Sequence, residues 1–523
     1  MPNFKPFNYN QNSMVVINFE QQIQPNTFEF ALHHLISNRL DLSIFNSAFK
    51  NDHNGRPAYD PVIMLKIILY AYSKGITSSR EIQWNCETNI IFKALSCDTV
   101  PHFTSIASFV SSHPEQIQSI FEQVLLVCDQ EGLLGKELVA IDGCKMSSNA
   151  SKEWSGTLKE LTEKHQKIRR QIQYHMTAHQ QADLHQKSEQ EAAEKRSEQA
   201  IKTLTKAADK IERFLADAEP RMGQGKRKSE VKSNITDNES GKMSTSKGTI
   251  QGFNGVAAVD KKHQIVVDAQ AFGEGQEHHT LQPILESIDA KFKRLSISDS
   301  IYQTGMVVTA DTGFANEANM KYLHNEGING YIPDNKFRSR DPKFAEQKAK
   351  YGKRNQHIKT TKLAHLIPAS EFSFDPVNQT CICPAGNQIS YRGERPDQYG
   401  NIKVFFEGRL SQCKHCELKH KCMKTPESAN HRKGNGRQVS FKLEHKRAPN
   451  FTDWMKHRVD SAKGKQIYSH RMSVVEPVFG NIGTNKGLNK FSLRGKEKVT
   501  AQWQLFCLVH NIEKIGNYGN LAA

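Results

Sequence analysis

Three segments far apart in the chain each carry a carboxylate in a context suited to a divalent cation. Leu138-Val-Ala-Ile-Asp142 and Met306-Val-Val-Thr-Ala-Asp311 are apolar, β-branched runs closed by aspartate. That is the pattern of buried strands delivering an acid at their C-terminal ends. The third is Val475-Glu476-Pro-Val478-Phe479-Gly480, preceded by Tyr468-Ser-His-Arg471, and its apolar positions at Val475, Val478, Phe479 and Ile482 share one helix face. Two-metal hydrolysis or transfer of a phosphodiester needs such acids at one point, because Mg²⁺ takes a few carboxylates and otherwise binds water and phosphate oxygens. Singly, an aspartate ending a strand is more often a turn residue or helix cap. Asp260 and Asp268 lie in or after strands but lack the glycine-bounded ends of Asp142-Gly143 and Asp311-Thr-Gly313, and Asp237 reads as a turn. His278-His279 could approach the same point, but reads more simply as the start of a surface helix.

A second constellation lies in the cysteines. The chain has ten, and five of them fall between Cys381 and Cys422: Cys381-Ile-Cys383-Pro-Ala-Gly, then Cys413-Lys-His-Cys416, then Cys422. A CxxC knuckle with an upstream thiol suits tetrahedral zinc, with Cys383, Cys413, Cys416 and Cys422 as the best four and Cys381 spare. His415 or His420 could substitute, and a metal-free loop is the alternative. The other five cysteines sit in apolar contexts and read as small buried hydrophobes.

These residues need elements to position them. Asp60 followed by Pro61 predicts a helix N-terminus and Gly75 its end; Val62 to Tyr72 between them is apolar almost all round, so this helix is expected to be buried. Further helix starts at Ser78, Thr104 and Ser112-His-Pro114 complete a bundle of four or five helices. From Thr157 to Glu219 there is neither Gly nor Pro, and apolar residues step three and four apart. As one helix this would run about 90 Å; an antiparallel pair turning within Ala178–Ala200 is more economical. Arg221 to Lys247, rich in Lys, Ser and Gly, is expected to be flexible. Strands resume at Gly252–Asp260 and Gln264–Phe272 as a hairpin, followed by a helix from His279, strand Met306–Asp311, a helix near Asn316–Asn325 and a short strand Gly330–Pro333. The order is that of an α/β core with a mixed sheet. Leu505, Leu508, Val509 and Ile512 form an apolar stripe on a last helix.

At 523 residues the chain has room for several domains, and its 71 Lys+Arg against 55 Asp+Glu give a net charge of +16, which fits a polyanionic partner. Lys336 to Lys362 alone holds ten Lys/Arg against two Asp/Glu, a solvated loop or a track for a DNA backbone. No basic-then-apolar leader and no membrane-length apolar run is present, so an intracellular protein without membrane contact is expected.

Taken together, Asp142, Asp311 and Glu476 resemble the DDE triad of bacterial insertion-sequence transposases. Thr309-Ala-Asp311-Thr-Gly-Phe314 is similar to the second-aspartate signature, Val475-Glu476-Pro-Val-Phe-Gly480 to the glutamate signature, and Gly55-Arg-Pro57 through Ser78-Ser-Arg80 to the N-terminal domain of one branch, which also carries the cysteine segment. Tyr468, Arg471 and Glu476 keep part of the Tyr-Arg-Glu-Lys pattern. One extra residue separates Arg471 from Glu476, and Gly483 stands where lysine is usual, leaving Lys486 as the nearest substitute.

The resemblance implies a ribonuclease-H-like mixed sheet flanked by helices, with an N-terminal all-helical domain, a helical arm insertion and a small Cys-rich insertion. The expected boundaries are 1–136 for the helical DNA-binding and dimerisation domain, 137–150, 221–335 and 441–523 for the core, 151–220 for the arm and 336–440 for the basic and Cys-rich insertion. It further implies an enzyme that binds the terminal inverted repeats of its own element, cuts the ends and joins the 3′-hydroxyls to target DNA. Mg²⁺ or Mn²⁺ would sit on Asp142, Asp311 and Glu476, Tyr468, Arg471, Lys486 and Arg494 would contact DNA or phosphate, and a homodimer would form on double-stranded DNA in the bacterial cytoplasm at the nucleoid. A metal-dependent nuclease on the same core, or a non-cutting DNA-binding descendant, are the alternatives.

Overall fold

Helices in the N-terminal part begin where the capping residues place them. In the computed structural model, which describes residues 16–49, 57–182, 191–223, 228–344, 366–396, 402–431, 434–443 and 450–520, these are α1 (Phe28–Asn38), α2 (Pro61–Ser73), α3 (Ser79–Thr88), α4 (Ile90–Ser96), α5 (Phe103–Ser112) and α6 (Pro114–Gln130). The Asp60 carboxylate accepts from Val62 N at 2.8 Å, satisfying one of the amides a helix start leaves open. Gly75 ends the turn at φ +76°, where a side chain would be strained. Met64 through Tyr72 are all buried, as the apolar run requires.

The sheet follows. Its strands are β1 (Leu138–Ser147), β2 (Gly241–Thr245), β3 (Gly248–Asp260), β4 (Val266–Phe272), β5 (Val307–Ala310) and β6 (Asn329–Tyr331). Long β3 pairs antiparallel with β1 along one edge and with β2 and β4 along the other; β1, β5 and β6 run parallel. Between β1 and β2 lies the arm, α7 (Leu158–Ala182) and α8 (Glu191–Asp217), with its own core of Leu161, Ile168, Ile172, Ala208, Ile211 and Ile235. Arg169 pairs with Glu212 across it at 2.8 Å. The parallel strands are linked by α9 (Leu281–Arg294) and α10 (Glu317–Asn325). This is a mixed α/β architecture of the ribonuclease-H-like kind, with N-terminal helices and a helical insertion.

Two expectations need correction. Asp142 does not end its strand, because β1 runs on to Ser147 against β3; only the parallel pairing with β5 stops at Ile141. The segment 228–247 is structured rather than flexible. It supplies β2, and Asn234 accepts from the Thr236 and Asp237 amides, while buried Asp237 accepts from Gly495 N. Serine, asparagine and glycine suit tight hydrogen-bonded turns as well as disorder, so composition alone misleads there.

The chain forms two compact units by contact, Met1–Asn335 with Met455–Ala523, and Lys336–Trp454. In the first unit the sheet is completed by α11 (Ala462–Gly480) and α12 (Lys496–Tyr518). Buried α12 packs on β4, α2 and α6, and stacks Phe506 on Tyr72 at 4.3 Å, so the N-terminal helices share a core with the sheet. The second unit holds a five-stranded sheet of β7 (Ser373–Asp375), β8 (Thr380–Ile382), β9 (Gln388–Pro396), β10 (Ile402–Glu407) and β11 (Gln438–Lys442), with a core of Phe372, Cys381, Val404, Phe406 and Val439. Most of the basic run, 345–362, lies outside the described residues. No helix among the described residues is long and apolar enough to cross a membrane.

Candidate active site

Parallel pairing of β1 with β5 sets Ile141 beside Ala310, so Asp142, within β1, and Asp311, just past the end of β5, stand side by side at the same level. A sheet in this register brings together two acids separated by 169 positions. Across them lies Arg471 of α11, buried, with Nη1 2.7 Å from Asp142 and Nη2 3.9 Å from Asp311. One guanidinium thus spans both carboxylates, and cation and hard-oxygen donors already face each other here. Asp142 Oδ1 also accepts from Gly143 N at 2.9 Å. Burial pushes the Asp142 carboxyl above the usual carboxylate range although Arg471 pulls it back, and Asp311 adds to the rise. For Arg471, burial opposes the charge, but Asp142, Tyr468 and Asp311 more than reverse it, so it stays protonated. Its Nε has no partner, and its guanidinium lies 6.0 Å from the Tyr468 ring.

The remaining expected residues are placed differently. Glu476 shares α11 with Arg471 but is exposed. Five residues on, it lies about 140° around the helix from Arg471. Pro477 sits inside α11 without ending it. A proline cannot bond the carbonyl four residues back, and that of Ser473 is instead taken by Gln264 Nε2 at 3.0 Å. Lys486 is a correction. It is 1 % exposed and paired with Glu513, so it is turned into the protein and not presented to a phosphate backbone. Arg494 is exposed, its Nε donating to Asn149 O at 2.9 Å.

One residue at this place escaped the sequence. Glu277 follows β4, at the start of the turn that leads into α9. A Cβ on Gly313 would lie 2.0 Å from Glu277 Oε2, and one on Gly143 would lie 3.0 Å from Oε1 and 2.8 Å from Asn254 Oδ1. The Glu277 carboxylate therefore fills the space that the two glycines after Asp142 and Asp311 leave. Burial raises its pKa, and so do Asp142 and Asp311. The glycines were the available signal, read as strand ends rather than as room for a third acid. The acids set aside have other work: Asp260 accepts from the Gly135, Lys136 and Lys262 amides, and Asp268 is buried against Lys291.

In the second unit, Cys383, Cys413, Cys416 and Cys422 line one small cavity of about 30 Å³. Gly408 and Gly436 make room for the Cys413 thiol, since a Cβ there would lie 2.7 and 3.2 Å from its Sγ. Cys381 points into the apolar core instead, where burial pushes its thiol up to about 11. Among the described residues, no three His, Cys, Asp or Glu side chains stand at ligating distances around one point.

A family described as a transposase DDE domain matches residues 382–516, and a transposase domain of the DUF772 kind matches residues 17–112. Both matches indicate an insertion-sequence DDE transposase. The first match takes in Tyr468, Arg471 and Glu476 and the cysteine segment from Cys383, and the second takes in α1 to α5. No curated protein and no solved structure matches the transposase. The family uses divalent metal ions and acts on DNA.

Proposed function

We propose that this transposase binds the terminal inverted repeats of its own insertion sequence, cuts the ends and joins the freed 3′-hydroxyls to target DNA. Asp142 and Asp311 are the acids that hold the divalent ions, Mg²⁺ or Mn²⁺, with Glu476 the third acid of the signature. The observation that carries this is the pair of aspartates at one level of two parallel strands, spanned by the Arg471 guanidinium. Carboxylates that accommodate a guanidinium there fit a divalent ion, and bound ions would activate the attacking oxygen and neutralise the leaving one. Arg471 holds the Asp142 carboxylate in place, and Tyr468 and Arg494 contact phosphate. The helices of residues 17–112 bind the terminal repeats and help build a homodimer, since two ends must be cut together. A net charge of +16 supports a polyanionic partner.

The test is cleavage and joining on a plasmid bearing the flanking DNA of the gene. Joined products at a second plasmid are expected with Mg²⁺ or Mn²⁺, and Asp142→Asn or Glu476→Gln should retard end DNA without cutting it. Cut but never joined ends would make the protein a nuclease on the same core. Retarded, uncut DNA with the unaltered protein would make it a binding descendant only. Full activity in either variant removes that residue from the site.

For the cysteine unit we propose a structural zinc ion held by Cys383, Cys413, Cys416 and Cys422. Four thiols on one cavity, with glycines yielding space to one of them, support it.

A further inference from the structure

We infer that Glu277 is a further carboxylate of the cation site, delivered by the turn between β4 and α9 and additional to the signature acids. This rests on the reading that Asp142 and Asp311 hold the divalent ions.

The geometry is specific. Each aspartate is followed within two residues by a glycine, and the two Glu277 oxygens occupy the spaces that side chains at Gly143 and Gly313 would fill. Asn254 Nδ2 lies 3.4 Å from Glu277 Oε1, steadying the carboxylate. The other end of that amide, Asn254 Oδ1, has no partner although the residue is fully buried, and it points at the same place beside Gly143. A buried acceptor without a donor normally costs stability, and one aimed at an acid cluster is explained by a cation or its water.

Charge points the same way. Asp142, Asp311 and Glu277 bring three negative charges to one end of the sheet. Among the described residues, Arg471 is the one cation within 4 Å of any of them, and Lys145 acts on Glu277 from further off. Three acids with one paired cation repel one another unless a further positive charge joins them. Nothing in the packing requires an acid at 277; a neutral residue of the same shape would fill the space without repulsion. Charge kept against its own electrostatics marks a functional position.

The test is Mn²⁺ binding to the full-length protein, read by the electron spin resonance of free Mn²⁺, with the metal-free melting temperature measured alongside. Glu277→Gln keeps the shape and is expected to weaken Mn²⁺ binding about tenfold or more, while metal-free melting stays level or rises as repulsion is relieved. Retardation of end DNA without metal should stay unchanged. Glu277→Asp, which restores the charge, should recover part of the affinity. If Glu277→Gln binds Mn²⁺ as the parent does while Asp142→Asn does not, Glu277 is no part of the site. If Asp142→Asn and Asp311→Asn also bind normally, the aspartate reading falls, and this inference with it. A lowered melting temperature with unchanged Mn²⁺ affinity would assign Glu277 to packing and overturn the inference.

Discussion

Asp142 is held where burial opposes its charge and one arginine restores it. Replacing that arginine leaves a buried carboxylate beside Asp311 with nothing to balance it. Arg471→Leu is therefore expected to cost about 3 kcal/mol in the metal-free protein at neutral pH. The pH dependence follows from the direction of the shift. Without Arg471, the folded-state pKa of Asp142 lies further above its unfolded value, so stability is lost as pH rises through that interval. Melting curves of parent and variant should lie closer at pH 5 than at pH 7; a constant gap would show that the arginine acts through packing alone. In the cysteine unit, Cys416→Ser or Cys422→Ser should lose bound zinc, while Cys381→Ala keeps it and loses only core packing. Zinc content by colorimetric release separates the two; equal loss in all three would return Cys381 to the ligand set.

At the level of elements, α11 and α12 are tied together by polar residues that a helical-face reading passes over. Gln264, in the β3–β4 turn at φ +61°, donates to the Ser473 carbonyl freed by Pro477, accepts from His510 Nε2 at 2.9 Å and accepts from Lys514 at 3.0 Å. Gln264→Ala keeps the backbone carbonyl that His510 uses, but should cost about 2 kcal/mol by stripping the side-chain contacts to Ser473 and Lys514 and slow end cleavage by loosening the helix that carries Arg471. Urea melts and cleavage rates would show both effects, and an unchanged rate would separate this turn from the site. His510 is buried as the neutral form, with Nε2–H on Gln264 O and Nδ1 accepting from Asn481 Nδ2 at 3.1 Å. Burial lowers its pKa to about 4. Since the folded pKa is depressed, stability is complete above the unfolded value near 6.5 and falls between there and about 4, by about 3 kcal/mol in all. His510→Gln should flatten thermal stability across that window; an unaltered slope would place the titrating group elsewhere.

For the whole molecule, the excess of positive charge makes DNA affinity a matter of salt. Binding to end DNA should fall by about 10³-fold between 50 and 200 mM salt if six or more phosphates are contacted. A shallow dependence in gel retardation would point to a smaller footprint than a transposase on its ends requires. The first unit gathers chain from both sides of the second, so the site depends on residues on either side of residues 336–454.

The sequence by itself determined the elements that local chemistry controls. Asp60-Pro61 and Gly75 bounded a helix, period-two and unbroken apolar runs gave β1, β3, β4 and β5, and the Gly- and Pro-free stretch gave the arm. It also marked Asp142 and Asp311 as candidates, because an acid after an apolar run keeps its local signature wherever the strand goes. Tertiary structure decided what those positions meet. Leu505, Leu508, Val509 and Ile512 read as one stripe, yet α12 is buried on all sides: Asn511 pairs with both the amide and the carbonyl of Val266, and Gln504 with the Ala269 carbonyl, so polar residues complete a sheet. Lys486 faces Glu513 for the same reason, since the partner of a charge is a fact of packing and not of spacing. Glu277 was hidden because its significance lies in two glycines 134 and 36 residues away, whose missing side chains leave it room.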